Sequence, residues 1–103
     1  LTECGNQVHE RVAELPMFEE YGEAIKSNFA DIRNVGGREA GAITGGKFLE
    51  RFAESPIIHL DIAGPGILKK DDHYRLKDGP ASGVRLLSVF FKKLAEGYNE
   101  YKK

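Results

Sequence analysis

The chain has 103 residues, 41% of them apolar and 30% charged, with a formal net charge of −1. This is enough for one small globular domain with one core. The charge balance argues against a nucleic-acid or anionic-membrane partner held by bulk charge, a single cysteine excludes an internal disulfide framework, and no apolar run approaches the roughly 18 residues of a membrane span.

The lone Cys4 fits a reducing compartment and rules out a multi-cysteine zinc site. No signal-peptide pattern, internal repeat or low-complexity segment is present. The chain opens at Leu1 without an initiator Met, directly in a helical pattern, which suggests a piece of something larger.

In chain order, Thr2 is placed to cap a first helix, with Glu3 in its first turn. Val8, Val12 and Leu15 continue it at helical spacing until Pro16 ends or kinks the run. Phe18, Tyr21 and Ile25 mark a second short amphipathic helix over about residues 17–26. Residues 29–35 alternate enough to read either as a short strand or as an extended loop, closed by Gly36 and Gly37.

A third helix is predicted over about residues 40–54, with Ala42, Ile43, Phe48, Leu49, Phe52 and Ala53 as its apolar stripe. Gly41, Gly45 and Gly46 weaken it, by about 1 kcal/mol each relative to alanine, and close approach of a neighbouring backbone is the usual reason for such glycines. Ser55 and Pro56 stop the helix.

Residues 57–63 then read as a buried core strand, nearly continuous in Ile57, Ile58, Leu60, Ile62 and Ala63. Gly64, Pro65 and Gly66 follow as a loop at the strand end, where ligands bind in open α/β sheets. Residues 67–78 are polar and read as a surface loop. Ser82 is placed to cap a last helix whose stripe is Val84, Leu87, Phe90, Phe91, Leu94 and Tyr98, with Lys92 and Lys93 toward its C-terminal half and residues 98–103 as a fraying tail. The order helix, helix, extended piece, helix, strand, loop, helix is α/β in character. One central-type strand cannot make a sheet alone, so the strand needs neighbours that the sequence does not obviously supply.

Five features invite a chemical reading. Residues 41–48 nearly spell a phosphate-binding P-loop, but Phe48 stands where Ser or Thr must reach the magnesium, which favours helix packing. Gly36, Gly37 and Arg38 before Gly41 would suit an anion at a helix start, against a tight connection with a solvated arginine. His59 and Asp61 share one strand face, as a metal or relay pair would, or as a buried, mutually satisfied polar pair. Asp71, Asp72 and His73 look like half a metal site or plain solvated loop charge. Cys4 has no His at helical spacing and reads as an inert thiol. None of these completes a catalytic constellation.

The ordered motifs carry more. Residues 30–38 (ADIRNVGGR), 40–44 (AGAIT), Phe48-Leu49, 59–64 (HLDIAG) and 83–87 (GVRLL) together resemble the C-terminal part of the cytosolic leucyl aminopeptidases, the M17 family. The helical lead-in, with Glu14-Leu15-Pro16 and Glu20-Tyr21, is similar as well.

The resemblance implies that residues 1–103 are a C-terminal segment of a mixed-sheet peptidase domain flanked by helices. The parent would be a cytoplasmic, hexameric di-metal exopeptidase that removes N-terminal residues, especially leucine, from peptides. Two divalent ions, zinc or manganese, would activate a bridging water. The family's metal ligands and catalytic lysine lie upstream of the matching motifs, so no metal ligand and no catalytic residue is expected within this chain. His59 and Asp61 fall in a motif that is structural in the family. Ala63, Gly64 and Gly66 match the rim of the substrate side-chain pocket, with Gly66 where some relatives carry a larger side chain. The fragment alone is expected to be inactive, to bind no metal, nucleic acid or membrane, and to self-associate or pair through residues 57–63. The alternative is a stand-alone binding or assembly module on the same scaffold.

Overall fold

The computed structural model describes residues 1–101, with side chains through Gly97. It divides into two compact units: Leu1–Ala13 with Ile62–Lys103, and Glu14–Asp61.

In the first unit, α1 spans Thr2–Gln7 and α3 spans Val84–Tyr101. The sequence predicts a first helix reaching Leu15, but α1 stops a full two turns earlier. His9 adopts a left-handed φ of 56°, and the Glu10 amide donates to the Gly5 carbonyl at 2.9 Å. This six-to-one bond past a left-handed residue satisfies an orphan carbonyl and closes the helix. Thr2 is not the cap: Leu1 holds that position, without a side-chain bond.

α1 packs against α3. Cys4, Gly5 and Leu86 are buried, Leu86 at 2% exposure. The stripe predicted for α3 is therefore off in register: Val84, Phe91 and Leu94 are exposed, while Leu87 and Phe90 are half-buried. Periodicity alone places the apolar face, but the contact with Gly5 of α1 selects Leu86 as its centre. Tyr98 and the predicted tail over residues 98–103 lie outside the described side chains.

Residues 67–78 are more ordered than a surface loop. Leu68 and Asp78 exchange two backbone hydrogen bonds of 2.9 Å, and Asp72 and Arg75 do the same. The pairing makes a hairpin tip at His73 and Tyr74, with His73 left-handed at φ 54°.

In the second unit, a 3₁₀ helix over Glu19–Ile25 packs on α2, Gly41–Glu50. The 3₁₀ turn stands where an α-helix over residues 17–26 is predicted. Ile25 and Ile43 are its buried apolar residues. Residues 29–35 take the loop alternative. They are anchored where the Arg33 amide donates to the Ile25 carbonyl at 2.8 Å, and Phe29 is 96% exposed. α2 ends at Glu50, about a turn short of the predicted stop, so Phe52 and Ala53 of the predicted stripe lie beyond it, and Leu49 and Phe52 are exposed.

The glycines of α2 divide. A Cβ at Gly46 would sit 3.1 Å from the Met17 methyl, a true close approach, whereas Gly41 and Gly45 face open space.

No strand forms among the described residues; two isolated bridges are the only β pairing. Residues 57–63, predicted as a buried core strand, are exposed or nearly so, with Ile58 at 62%. The reason is the one anticipated from sheet physics: a strand buried on both faces needs neighbouring strands, and no strand forms among the described residues. The helical half of the α/β reading is present, and the sheet is not built by this segment.

Candidate functional site

The residues matched to a substrate-pocket rim lie in the first unit, in a tight turn after Ile62. The Gly66 amide donates to the Ile62 carbonyl at 2.8 Å, and Ser82 Oγ donates to the Pro65 carbonyl at 2.6 Å. Ser82 is thus spent on this turn and not on capping α3, as the sequence suggests. Ala63 and Gly64 are exposed and Gly66 is half-buried. A Cβ at residue 66 would stand 2.6 Å from the Ile62 carbonyl oxygen. Only glycine fits this turn as built, so a relative with a larger side chain there needs a different backbone path.

Close by in the same unit, Glu10 takes over the capping role. Its Oε2 accepts a 2.9 Å hydrogen bond from the Leu86 amide in the first turn of α3, and its Oε1 lies 3.6 Å from Arg85. The carboxylate meets the positive end of the helix dipole, where anions are stabilising. Arg85 lies over the Tyr74 ring, 4.6 Å from its centroid, and donates to the Tyr74 hydroxyl. Sequence reading misses this network because Glu10 and Leu86 are 76 positions apart.

The half-site at residues 71–73 is internally engaged. Asp72 pairs with Arg75, and Asp71 Oδ1 accepts from the Lys77 amide at 2.8 Å. His73 is exposed, 3.6 Å from Asp72.

In the second unit the charged centre is Lys47, whose side chain is only 4% exposed. Its ammonium donates to Glu50 Oε2 at 2.8 Å and to Glu19 Oε1 at 2.9 Å, tying α2 to the 3₁₀ helix. The hydrogen bond to Glu50, then that to Glu19, raise its pKa above the ordinary lysine value, against the opposing effect of burial. This is the lysine of the near-P-loop. It sits inside a helix and is held by two carboxylates, so the phosphate-binding reading fails on geometry as well as on Phe48. A charged cavity of about 480 Å³ opens beside it, lined in part by Glu20, Glu23, Asp31 and Arg51.

The glycine loop before α2 is a tight connection. Gly36 packs on Ala24 and Thr44, Gly37 has a left-handed φ of 128°, and Arg38 is exposed. His59 and Asp61 are both exposed, which corrects the reading of a buried polar pair. Cys4 is buried, in keeping with an inert thiol.

Among the described residues no three His, Cys, Asp or Glu side chains gather to hold a metal ion. The residues present do not fit a di-metal centre, and no catalytic step is assigned to them.

What the local geometry leaves open, similarity decides. A profile of the cytosol aminopeptidase family, catalytic domain, matches residues 1–88. The chain belongs to the cytosol aminopeptidase family. A probable cytosol aminopeptidase of Clostridium perfringens is 46% identical over 88 residues, which is 84% of this chain and 18% of that protein. Similar proteins of the same name occur in Alkaliphilus metalliredigens, 42% identical over 91% of this chain and 19% of the relative, and in Xanthobacter autotrophicus, 42% identical over 94% and 20%. The chain thus spans about a fifth of the length of the curated cytosol aminopeptidases it matches. Among the described residues no helix is long and apolar enough to cross a membrane.

Proposed function

We propose that this chain serves as the C-terminal segment of a metal-dependent aminopeptidase that hydrolyses N-terminal residues, leucine among them, from peptides. The observation that carries this reading is the match of residues 1–88 to a catalytic-domain profile, together with relatives named as aminopeptidases. In the whole protein two divalent ions, zinc or manganese, are held by residues outside this segment. The mixed sheet, the cytoplasmic location and the hexameric assembly belong to the same reading.

This segment contributes positioning. The turn at Ala63, Gly64 and Gly66 rims the pocket for the substrate side chain, and its bond to Ser82 fixes the path of the rim. The Glu10 cap holds the start of α3 just beyond it in sequence. Alone, the chain is expected to be inactive, because this reading places the metal ligands and the catalytic lysine upstream of the matched motifs.

The test is hydrolysis of a leucyl chromogenic amide with added manganese or zinc. The whole protein is expected to hydrolyse it and to lose activity on chelation. A chelator-insensitive whole protein, or one without aminopeptidase activity, would overturn the assignment.

A further inference from the structure

The segment matched to the pocket rim carries almost no side chain: a methyl at Ala63, hydrogens at Gly64 and Gly66, and the Pro65 ring between them. A Cβ at residue 66 is excluded by the Ile62 carbonyl oxygen. The shape such a rim offers a substrate is therefore set by the path of its backbone. Hydrogen bonds hold that path from two directions. The Gly66 amide donates to the Ile62 carbonyl within the turn, and Ser82 Oγ, 17 positions away from its partner, donates to the Pro65 carbonyl.

Ser82 is itself held on both sides. Upstream, Asp78 and Leu68 exchange their two backbone hydrogen bonds. Downstream, the Val84 amide donates to the Ala81 carbonyl at 3.2 Å and the Leu87 amide to the Gly83 carbonyl at 2.8 Å, which joins the loop to the first turn of α3. Between these anchors Asp78, Ala81 and Gly83 are left-handed, with φ of 75°, 56° and 89°. For Asp78 and Ala81 this is a sparsely populated conformation, which persists only where the surroundings over-determine it, and such residues gather at ligand clamps. The loop over residues 78–83 is thus bent at a conformational cost, and the hydroxyl it presents goes to the rim backbone.

We propose that Ser82 is a positioning residue that determines specificity: its bond to the Pro65 carbonyl fixes the rim backbone, and through it the enzyme selects N-terminal residues by the size of their side chain. Ser82 touches no substrate itself. This rests on the proposed aminopeptidase activity.

The test compares leucyl and glycyl chromogenic amides in the whole protein carrying Ser82→Ala. The glycyl amide brings no side chain to the rim and is the internal reference, so the ratio of the two kcat/KM values does not depend on how much enzyme is folded. Loss of one hydrogen bond should lower the leucyl-to-glycyl ratio about fivefold, through the KM of the leucyl amide and not its kcat. Ser82→Thr, which keeps the hydroxyl, should restore the ratio. In the 103-residue chain, Ser82→Ala should speed solvent exchange of the Gly66 amide about fivefold. An unmoved ratio in an active enzyme overturns the role of Ser82 and leaves the activity standing. Unchanged exchange of the Gly66 amide does the same, and it decides alone if the alanine variant yields no whole enzyme. A whole protein that cleaves neither amide overturns the activity and the role of Ser82 with it.

Discussion

At the scale of single residues, glycines give the sharpest contrast. A Cβ at Gly5 would lie 2.5 Å from the backbone oxygen of Glu10, which cannot yield without breaking the helix stop. Gly5→Ala is expected to lower the stability of its unit by about 1–3 kcal/mol. Gly45, in α2 with open space around its Cα, behaves oppositely, and Gly45→Ala should raise stability by about 0.5–1 kcal/mol through helix propensity. Urea unfolding of the two variants beside the parent measures both. The sequence marks Gly45 as unusual for a helix and passes over Gly5, and only the structure tells the one that is needed from the one that is not.

Lys47 carries a pH signature. Its folded pKa is raised, so the stabilisation from its charge is fully present below the ordinary value near 10.5 and is lost as pH rises through the folded value. Thermal unfolding of the parent should therefore fall more steeply above pH 10.5 than that of Lys47→Met, with the variant already lower at pH 8. A parent and variant that decline in parallel would show that the charge adds nothing. In the sequence Lys47 stands out only as the lysine of the near-P-loop run. Its burial was not visible, because the second partner, Glu19, is 28 positions away.

Among the elements, the helix ends depend on distant partners. Glu10→Ala removes the cap from α3 and should destabilise it by about 1 kcal/mol. Glu10→Gln keeps an acceptor for the Leu86 amide but loses the charge toward Arg85, so it should fall between the parent and the alanine variant in thermal melting. The Ser82 expectation fails for the same reason that Glu10 was overlooked: local capping rules see neighbours in sequence, and here the bond to the first turn comes from the other end of the chain. α2 and α3 were readable from their 3.6-residue patterns. α1 was overextended because its stop is a left-handed histidine without the glycine or proline that usually signals one. The strand over residues 57–63 was read from composition, and composition reports what a segment would do in a sheet and not whether a sheet is at hand.

For the whole molecule, the decisive fact is how little is buried. Among the described residues the buried apolar side chains are Cys4, Ile25, Ile43 and Leu86, two to each unit, while large apolar side chains such as Phe29, Phe52, Ile67 and Leu76 are mostly exposed. Such small cores leave a narrow margin of stability, and Leu86→Ala, costing about 2–5 kcal/mol in a packed core, should abolish cooperative melting of the first unit. The five ordered motifs identified the family without any of this packing, since they record the environment of the larger domain. The proposed place of Gly64 and Gly66 at a pocket rim was readable only through that resemblance. Their conformation, closed by Ser82 and intolerant of a side chain at residue 66, was not.

The central proposal is that this segment shapes a peptidase without performing its chemistry. The most direct test is to assay the purified 103-residue chain on a leucyl chromogenic amide with manganese or zinc present. Hydrolysis no faster than a metal-only blank is expected. Turnover above that blank, abolished by a chelator, would place a working metal site within these residues and contradict it.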